Sequence, residues 1–314
     1  MQRLTRGEAD ERGAVAVSLA LLMVALIGFA AISIDVAATY AERQQLQTGA
    51  DAAALAIAQD CARDSCGDPG VTAQNLAVPN SNDGDPTATV VSFDPVAGEV
   101  TVNNEGTSEH WFAPVLGHDS TLVSAESTAR WGYPSGGISV LPLALSYCEW
   151  WGQTGGGTPS GTTPRTIYLA GRGPTPGCPG PSGTVPGGAG WLATDGTCSA
   201  TSVISQVLLS DPGVSVSNGC TVADLVALRN VTVLLPIFDN AVGTGSGATY
   251  RVYGYAAFKI TGYNFAGSYK WNEPCTGDNR CIRGYFTQFV DLTDAFDYSP
   301  TAPKLGAAVV ALTG

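Results

Sequence analysis

Two histidines, eight cysteines and a few isolated acids are the residues with chemistry to offer in this 314-residue chain. Nucleophilic catalysis needs a base held against its nucleophile. His110 and His118 lie eight positions apart beside Trp111 and Phe112, and no Gly-x-Ser-x-Gly elbow occurs, so both read as loop or surface side chains. Glu149 precedes Trp150 and Trp151. Aromatics that stack on a sugar and a carboxyl in an apolar pocket are the parts of a glycoside-cleaving site, but packing of the aromatics beside Cys148 is the simpler reading. Gly243 to Gly247, "GTGSG", resembles a phosphate loop that lacks its lysine and runs into a strand at Tyr250, which is the setting of a hairpin turn. Asn82 to Asp85 and Glu273 to Cys281 carry oxygen ligands without the spacing of a calcium loop. No catalytic group, cofactor or metal is expected.

The cysteines, Cys61, Cys66, Cys148, Cys178, Cys198, Cys220, Cys275 and Cys281, all follow an apolar run near the N-terminus. An even number confined to one side of a membrane segment points to four disulfides in an oxidising compartment. Zinc requires two close-spaced ligand pairs, and only Cys61 with Cys66 has such a gap. Cys61–Cys66 and Cys275–Cys281 are the expected short-loop pairs. The middle four cysteines allow three connectivities that spacing does not rank.

What must position these residues begins with Val15 to Ile34, twenty residues without a charge. As a helix this run spans roughly 30 Å, the thickness of a bilayer's hydrocarbon. It exceeds the apolar core of a cleaved signal peptide, and the helical pattern continues past it, so a retained single-pass anchor is expected. Arg3, Arg6 and Arg12 against Arg43 alone in the next stretch place the N-terminus inside and the remainder outside. Beyond Asp35 the apolar stripe Val36, Tyr40, Leu46, Ala50, Ala53, Ile57 and Cys61 keeps helical spacing. Its small residues suit close packing, either as the face for a partner helix or as the cap of the chain's own ectodomain. If a partner face, Arg at Ala50 or Ala53 is expected to disrupt a complex and spare the ectodomain.

The order of these parts carries a resemblance. "RGAVAVSLALLMVALIGFAAISIDVAATYAERQQLQTGADAAALAIA" has an Arg-Gly start, a hydrophobic span, an acid at its outer end, an aromatic a turn later, then "RQQLQ" and "ADAAALA". It resembles the N-terminal segment of TadG-like proteins of the Tad (Flp) pilus assembly system, over residues 12 to 58. A looser similarity covers "HWFAPVLGHDSTLVSAESTARWG", His110 to Gly132. Two departures narrow it. Pseudopilin-like TadE and TadF relatives carry Glu five residues after a cleaved Gly; Ser18 stands there if Gly13 is that Gly, which speaks against prepilin processing. The Asp-x-Ser-x-Ser of a von Willebrand A domain is absent, since Asp195, Thr197 and Ser199 sit in a Gly-rich loop around Cys198. The resemblance implies pilus assembly or anchoring at the cell envelope, with other Tad components or pilins as partners.

Composition fits an extracytoplasmic β-rich chain: 39 Gly and 19 Pro with 13% charged residues. A net charge of −12 excludes nucleic acid as a partner, because phosphates are neutralised by basic surfaces. Strands are expected over 88–93, 99–103, 122–131, 138–143, 231–238, 250–263, 282–292 and 307–312, with a bulge at Ala256 and Ala257 where alternation changes phase. Helices are expected over 199–209 and over 221–229, the latter capped by Thr221. The fold class is α+β, in four parts: a cytoplasmic N-terminus (1–13), a transmembrane plus extended helix (14–63), a linker with a small β unit (64–132), and a disulfide-pinned β-rich ectodomain of mixed, mainly antiparallel sheet (133–314). The function expected is a non-catalytic, membrane-anchored component of a Tad pilus system. An adhesin or carbohydrate-binding module, which would use exposed aromatics, and an envelope hydrolase acting through Glu149 or His110 are the competing classes.

Overall fold

The computed structural model describes residues 12–82, 85–169, 176–211, 215–243 and 245–313. The chain opens with one helix, α1, Arg12–Ala62, of 51 residues, or roughly 76 Å at 1.5 Å per residue. No proline interrupts it, and Ala, Leu and Gln are strong helix formers. Every residue from Val15 to Ala30 is exposed, and the helix is long and apolar enough to cross a membrane. It stops where Asp64 takes a positive φ and Ser65 donates its N–H to Asp60 O.

Two compact units follow from the packing, and they are not consecutive along the chain. The first takes residues up to 54, 68–91 and 101–127; the second takes 55–67, 92–100 and 128 onward. The first unit therefore gathers the greater part of α1 with segments that a chain-order division separates from it. Besides α1 it holds α2 (Pro69–Ala77), whose N-cap Asp68 accepts from the Gly70 and Val71 N–H groups. It also holds most of the strands β1 (Thr87–Asp94) and β2 (Glu99–Glu109) and the first part of β3 (Ser120–Ser139). The order across this sheet is β1-β2-β3, leaving β1 at the edge.

The second unit contains the rest of β3, then β4 (Leu143–Ser146), α3 (Tyr147–Thr154), β5 (Arg165–Tyr168), β6 (Ala189–Trp191), β7 (Ala200–Val203), β8 (Val207–Leu209), α4 (Val222–Ala227), β9 (Thr232–Val242), β10 (Thr249–Asn264), β11 (Lys270–Trp271), β12 (Cys281–Thr287), β13 (Phe296–Ser299) and β14 (Val309–Leu312). Its main sheet runs β5-β12-β10-β9-β4-β6. The β4–β9 pair is parallel and its other pairs are antiparallel. Trp150, Trp191, Leu235, Phe258 and Ile282 are at most 2% exposed and form the centre of the core. A side chain of this size contributes about 1.5–3 kcal/mol when fully buried.

Four disulfides join Cys61–Cys66, Cys148–Cys178, Cys198–Cys220 and Cys275–Cys281. The middle connectivity thus links α3 to the Gly/Pro-rich segment and the approach to β7 to the start of α4. Thr221 caps α4 through a capping box with Asp224, and Gly243 to Gly247 lies in the β9–β10 turn.

Three local expectations are corrected. Residues 199–209 form β7 and β8 instead of a helix: Thr201, Val203, Ile204 and Val207 are β-branched, and their backbone groups find strand partners in β3 and β10. The step at Ala256 and Ala257 is not a bulge, since register is regular from Tyr255 to Lys259. Alternation fails there because Gly254 to Phe258 are buried on both faces of a central strand; shifts in register instead flank it, at Arg251 to Gly254 and at Ile260 to Gly262. Finally, 122–131 and 138–143 are not two strands parted by Gly and Pro. Gly137, with φ +152°, allows β3 to continue, and a Cβ there would collide with Ala295 O.

Candidate functional site

The part of the first unit with a shape beyond packing lies where α1 leaves its exposed run. Asp35 is the first buried residue of the helix, 6% exposed, and it immediately follows the uncharged stretch. Its partners come from the loop joining β2 to β3, whose neck is closed by His110 N–H donating to Asp119 O at 2.9 Å. Within that loop Ala113–Leu116 is one turn of 3-10 helix with Pro114 near its start, ended by Gly117 at φ +85°. A helical turn leaves its first N–H groups without backbone partners. The Asp35 carboxylate accepts them: Oδ1 from Trp111 at 2.8 Å and Phe112 at 3.2 Å, Oδ2 from Phe112 at 3.2 Å and Ala113 at 2.7 Å. Burial alone would raise the pKa of this acid; the three N–H groups, helped by His110, outweigh it and hold the carboxyl below its ordinary range. Asp35 is therefore a charged clamp at neutral pH.

Above the clamp, β2 runs along one face of α1. Ser108 Oγ meets Thr39 Oγ1 at 3.4 Å, Gly106 sits against Glu42 and Leu46, and Asn104 Nδ2 donates to Leu46 O at 3.1 Å. Alternate strand residues meet successive helical turns, the match of period two to period 3.6. Gly49 leaves the space that Asn104 and α2 fill: a Cβ on it would lie 2.7 Å from Asn104 Nδ2 and 3.4 Å from Ala77 Cα. Gln45 Oε1 accepts from Asn82 N–H, and Gln47 donates to Asp51 and to Glu126 O. The repeated glutamines of "RQQLQ" thus tie the helix to the loops around it.

The stripe proposed as a partner face divides accordingly. Leu46, Ala50, Ala53 and Ile57 are at most 1% exposed, so the chain's own fold already covers them, and Arg at Ala50 or Ala53 would bury an unpaired charge in that fold. Val36 and Tyr40 remain exposed, at 63% and 64%. The helix beyond Asp35 is accordingly an element of a folded unit from its first turn, and not a bare spacer.

Val36 and Tyr40 face an apolar groove of about 890 Å³. One wall is a single face of α1 from Ile27 to Arg43; the other is the loop, through Phe112, Ala113, Val115 and His118. Trp111 is 77% and Val115 89% exposed, and Phe112 is half-exposed.

The residues considered for catalysis are held in structural roles. His110 Nε2 bonds Thr121 Oγ1 at 2.8 Å, while its Nδ1 is buried without a partner. Glu149 accepts the Gly188 N–H at 2.8 Å, Trp150 donates to Leu305 O, and Trp151 packs on the core. Among the described residues no three His, Cys, Asp or Glu side chains are grouped as a metal site would need. The loop's hold on Asp35 went unread in the sequence, where the signal was an acid closing an apolar run and, far away, seven consecutive residues, Trp111 to Gly117, with no charge.

Residues 13–60 match the family model for Flp pilus-assembly proteins of TadE/G-like type. No curated protein and no solved structure matches the chain. The matched segment ends inside α1, and it contains Asp35, the seam with β2 and the glutamines that fasten the helix.

Proposed function

We propose, from an N-terminal segment that is TadE/G-like, that this chain is a non-catalytic, membrane-anchored structural component of a Tad (Flp) pilus system. Val15 to Ile34 holds it in the cell membrane, with the N-terminus inside and the remainder outside. The family match over residues 13–60 carries this reading. Support comes from the exposed apolar helix and from the four disulfides, which belong to an oxidising compartment.

The mechanical logic is that anchor and fold share one helix. A force on the outer part reaches the bilayer through α1, with no flexible linker to stretch. The clamp at Asp35 and the β2 seam spread such a load over several hydrogen bonds. The partners that suit this role are other Tad assembly components or pilins. Deleting the gene from its source cell should remove or thin the Tad pili, and the full chain, but not one lacking residues 1–34, should restore them. Unchanged piliation after deletion would refute the role.

A further inference from the structure

We propose that the loop 111–116 is seated in the outer leaflet of the bilayer, where lipid acyl chains fill the groove it forms with α1; this rests on the membrane-anchor reading. The argument starts from position. Asp35 holds the backbone of Trp111, Phe112 and Ala113 through four contacts of 2.7–3.2 Å. Asp35 is one residue past Ile34, and one residue is a rise of 1.5 Å. If Val15 to Ile34 fills the hydrocarbon, the loop backbone is fixed at its outer boundary.

Chemistry follows from that position. Trp111, Phe112, Ala113, Pro114, Val115 and Leu116 form an uncharged run, and the nearest acids, Glu109 and Asp119, stand at the neck. Trp111 and Val115, the most exposed of these, would be poor choices for a surface in water but suit the boundary, where aromatic rings sit at headgroup level. The groove's helix wall reaches down to Ile27, eight residues or about 12 Å below Asp35, within the uncharged run. A wall continuous with a lipid-facing helix is wetted by the same lipid. The backbone N–H groups of the loop do not oppose entry, because the carboxylate already satisfies those of residues 111–113.

The test uses the full chain in phosphatidylcholine vesicles, with flotation on a density gradient and quenching of tryptophan emission by lipids brominated near the headgroup. The comparison is with Trp111→Phe, which keeps the backbone donors to Asp35. The chain has six tryptophans, so the lipid quencher should remove about a sixth more of the emission from the unaltered protein than from the variant. Val115→Asp, at a freely exposed position, should abolish that difference while flotation is unchanged. Flotation with equal quenching of the unaltered protein and Trp111→Phe overturns the seated loop and leaves the anchor intact. Shielding of Trp111 from acrylamide without lipid quenching also overturns it, in favour of a second protein copy over the loop. Failure to float removes both the anchor and the inference.

Discussion

Gly49 tests the packing that fixes the anchor helix to its fold, because helix propensity and local packing predict opposite signs for one substitution. In an open helix Gly→Ala is worth about 1 kcal/mol of stability. Here the new Cβ would lie 2.7 Å from Asn104 Nδ2, against about 3.5 Å for a comfortable contact. Asn104 is fully buried, donates to Leu46 O at 3.1 Å, and already has an unpaired Oδ1. Displacing it strands a buried donor at a cost of about 1–3 kcal/mol. The net expectation for Gly49→Ala is a loss of about 1 kcal/mol. In an Asn104→Ala background the obstacle is gone, and the next atoms, Ala77 Cα at 3.4 Å and Asn80 Cβ at 3.5 Å, are ordinary neighbours. There the same substitution should stabilise by about 1 kcal/mol, a coupling of about 2 kcal/mol between the sites. Amide hydrogen exchange over residues 44–54 of the full chain in detergent micelles reads this locally. Gly49→Ala should speed exchange about fivefold in the unaltered protein and slow it about fivefold beside Asn104→Ala. Equal effects in the two backgrounds would refute the account of the seam.

The clamp and the cross-links give further expectations. Asp35 has its carboxyl pKa lowered by the fold, so its contribution is complete above the ordinary value of 3.8 and is lost as pH falls through the lower, folded value. Protection of the Trp111 to Ala113 amides, corrected for intrinsic rates, should therefore be flat near neutrality and fall on acidification, while Asp35→Asn should show weaker protection without that fall; identical profiles would contradict the clamp. Cys148–Cys178 closes a separation of 30 residues and Cys61–Cys66 one of 5. Loop entropy assigns them about 3.6 and about 2.1 kcal/mol, so the paired Cys→Ala variant of the former should lose more stability in urea, and the reverse order would contradict the assignment.

Elements legible in advance were those set by local rules. The continuous helix followed from composition and the absence of any stop signal, the cap at Thr221 from a Thr-x-x-Asp spacing, and the long strands β9 and β10 from runs of β-branched and aromatic residues. The two short disulfides followed because a loop of five or six residues brings its ends together whatever the rest does. Residues 199–209 misled because eleven residues carry too little periodicity to separate a helix from two short strands, and partners supplied by β3 and β10 settled the matter.

The sequence by itself determined that an apolar helix passes without a break into a small-residue helix, that oxidised cysteines follow it, and that its N-terminal segment is TadE/G-like. These are properties of neighbouring residues, and neighbours are what a sequence lists. Only the tertiary structure decided which side of that helix the chain keeps for itself, because the strand that covers Leu46 and Gly49 lies more than fifty residues away. It also decided that Asp35, apparently a polar interruption, is the receptor for three N–H groups of a loop some seventy-five residues on. A lone carboxylate at the end of an apolar run shows no partner in one dimension; it acquires one when the turn at Pro114 strands its donors and the hairpin brings them to the helix.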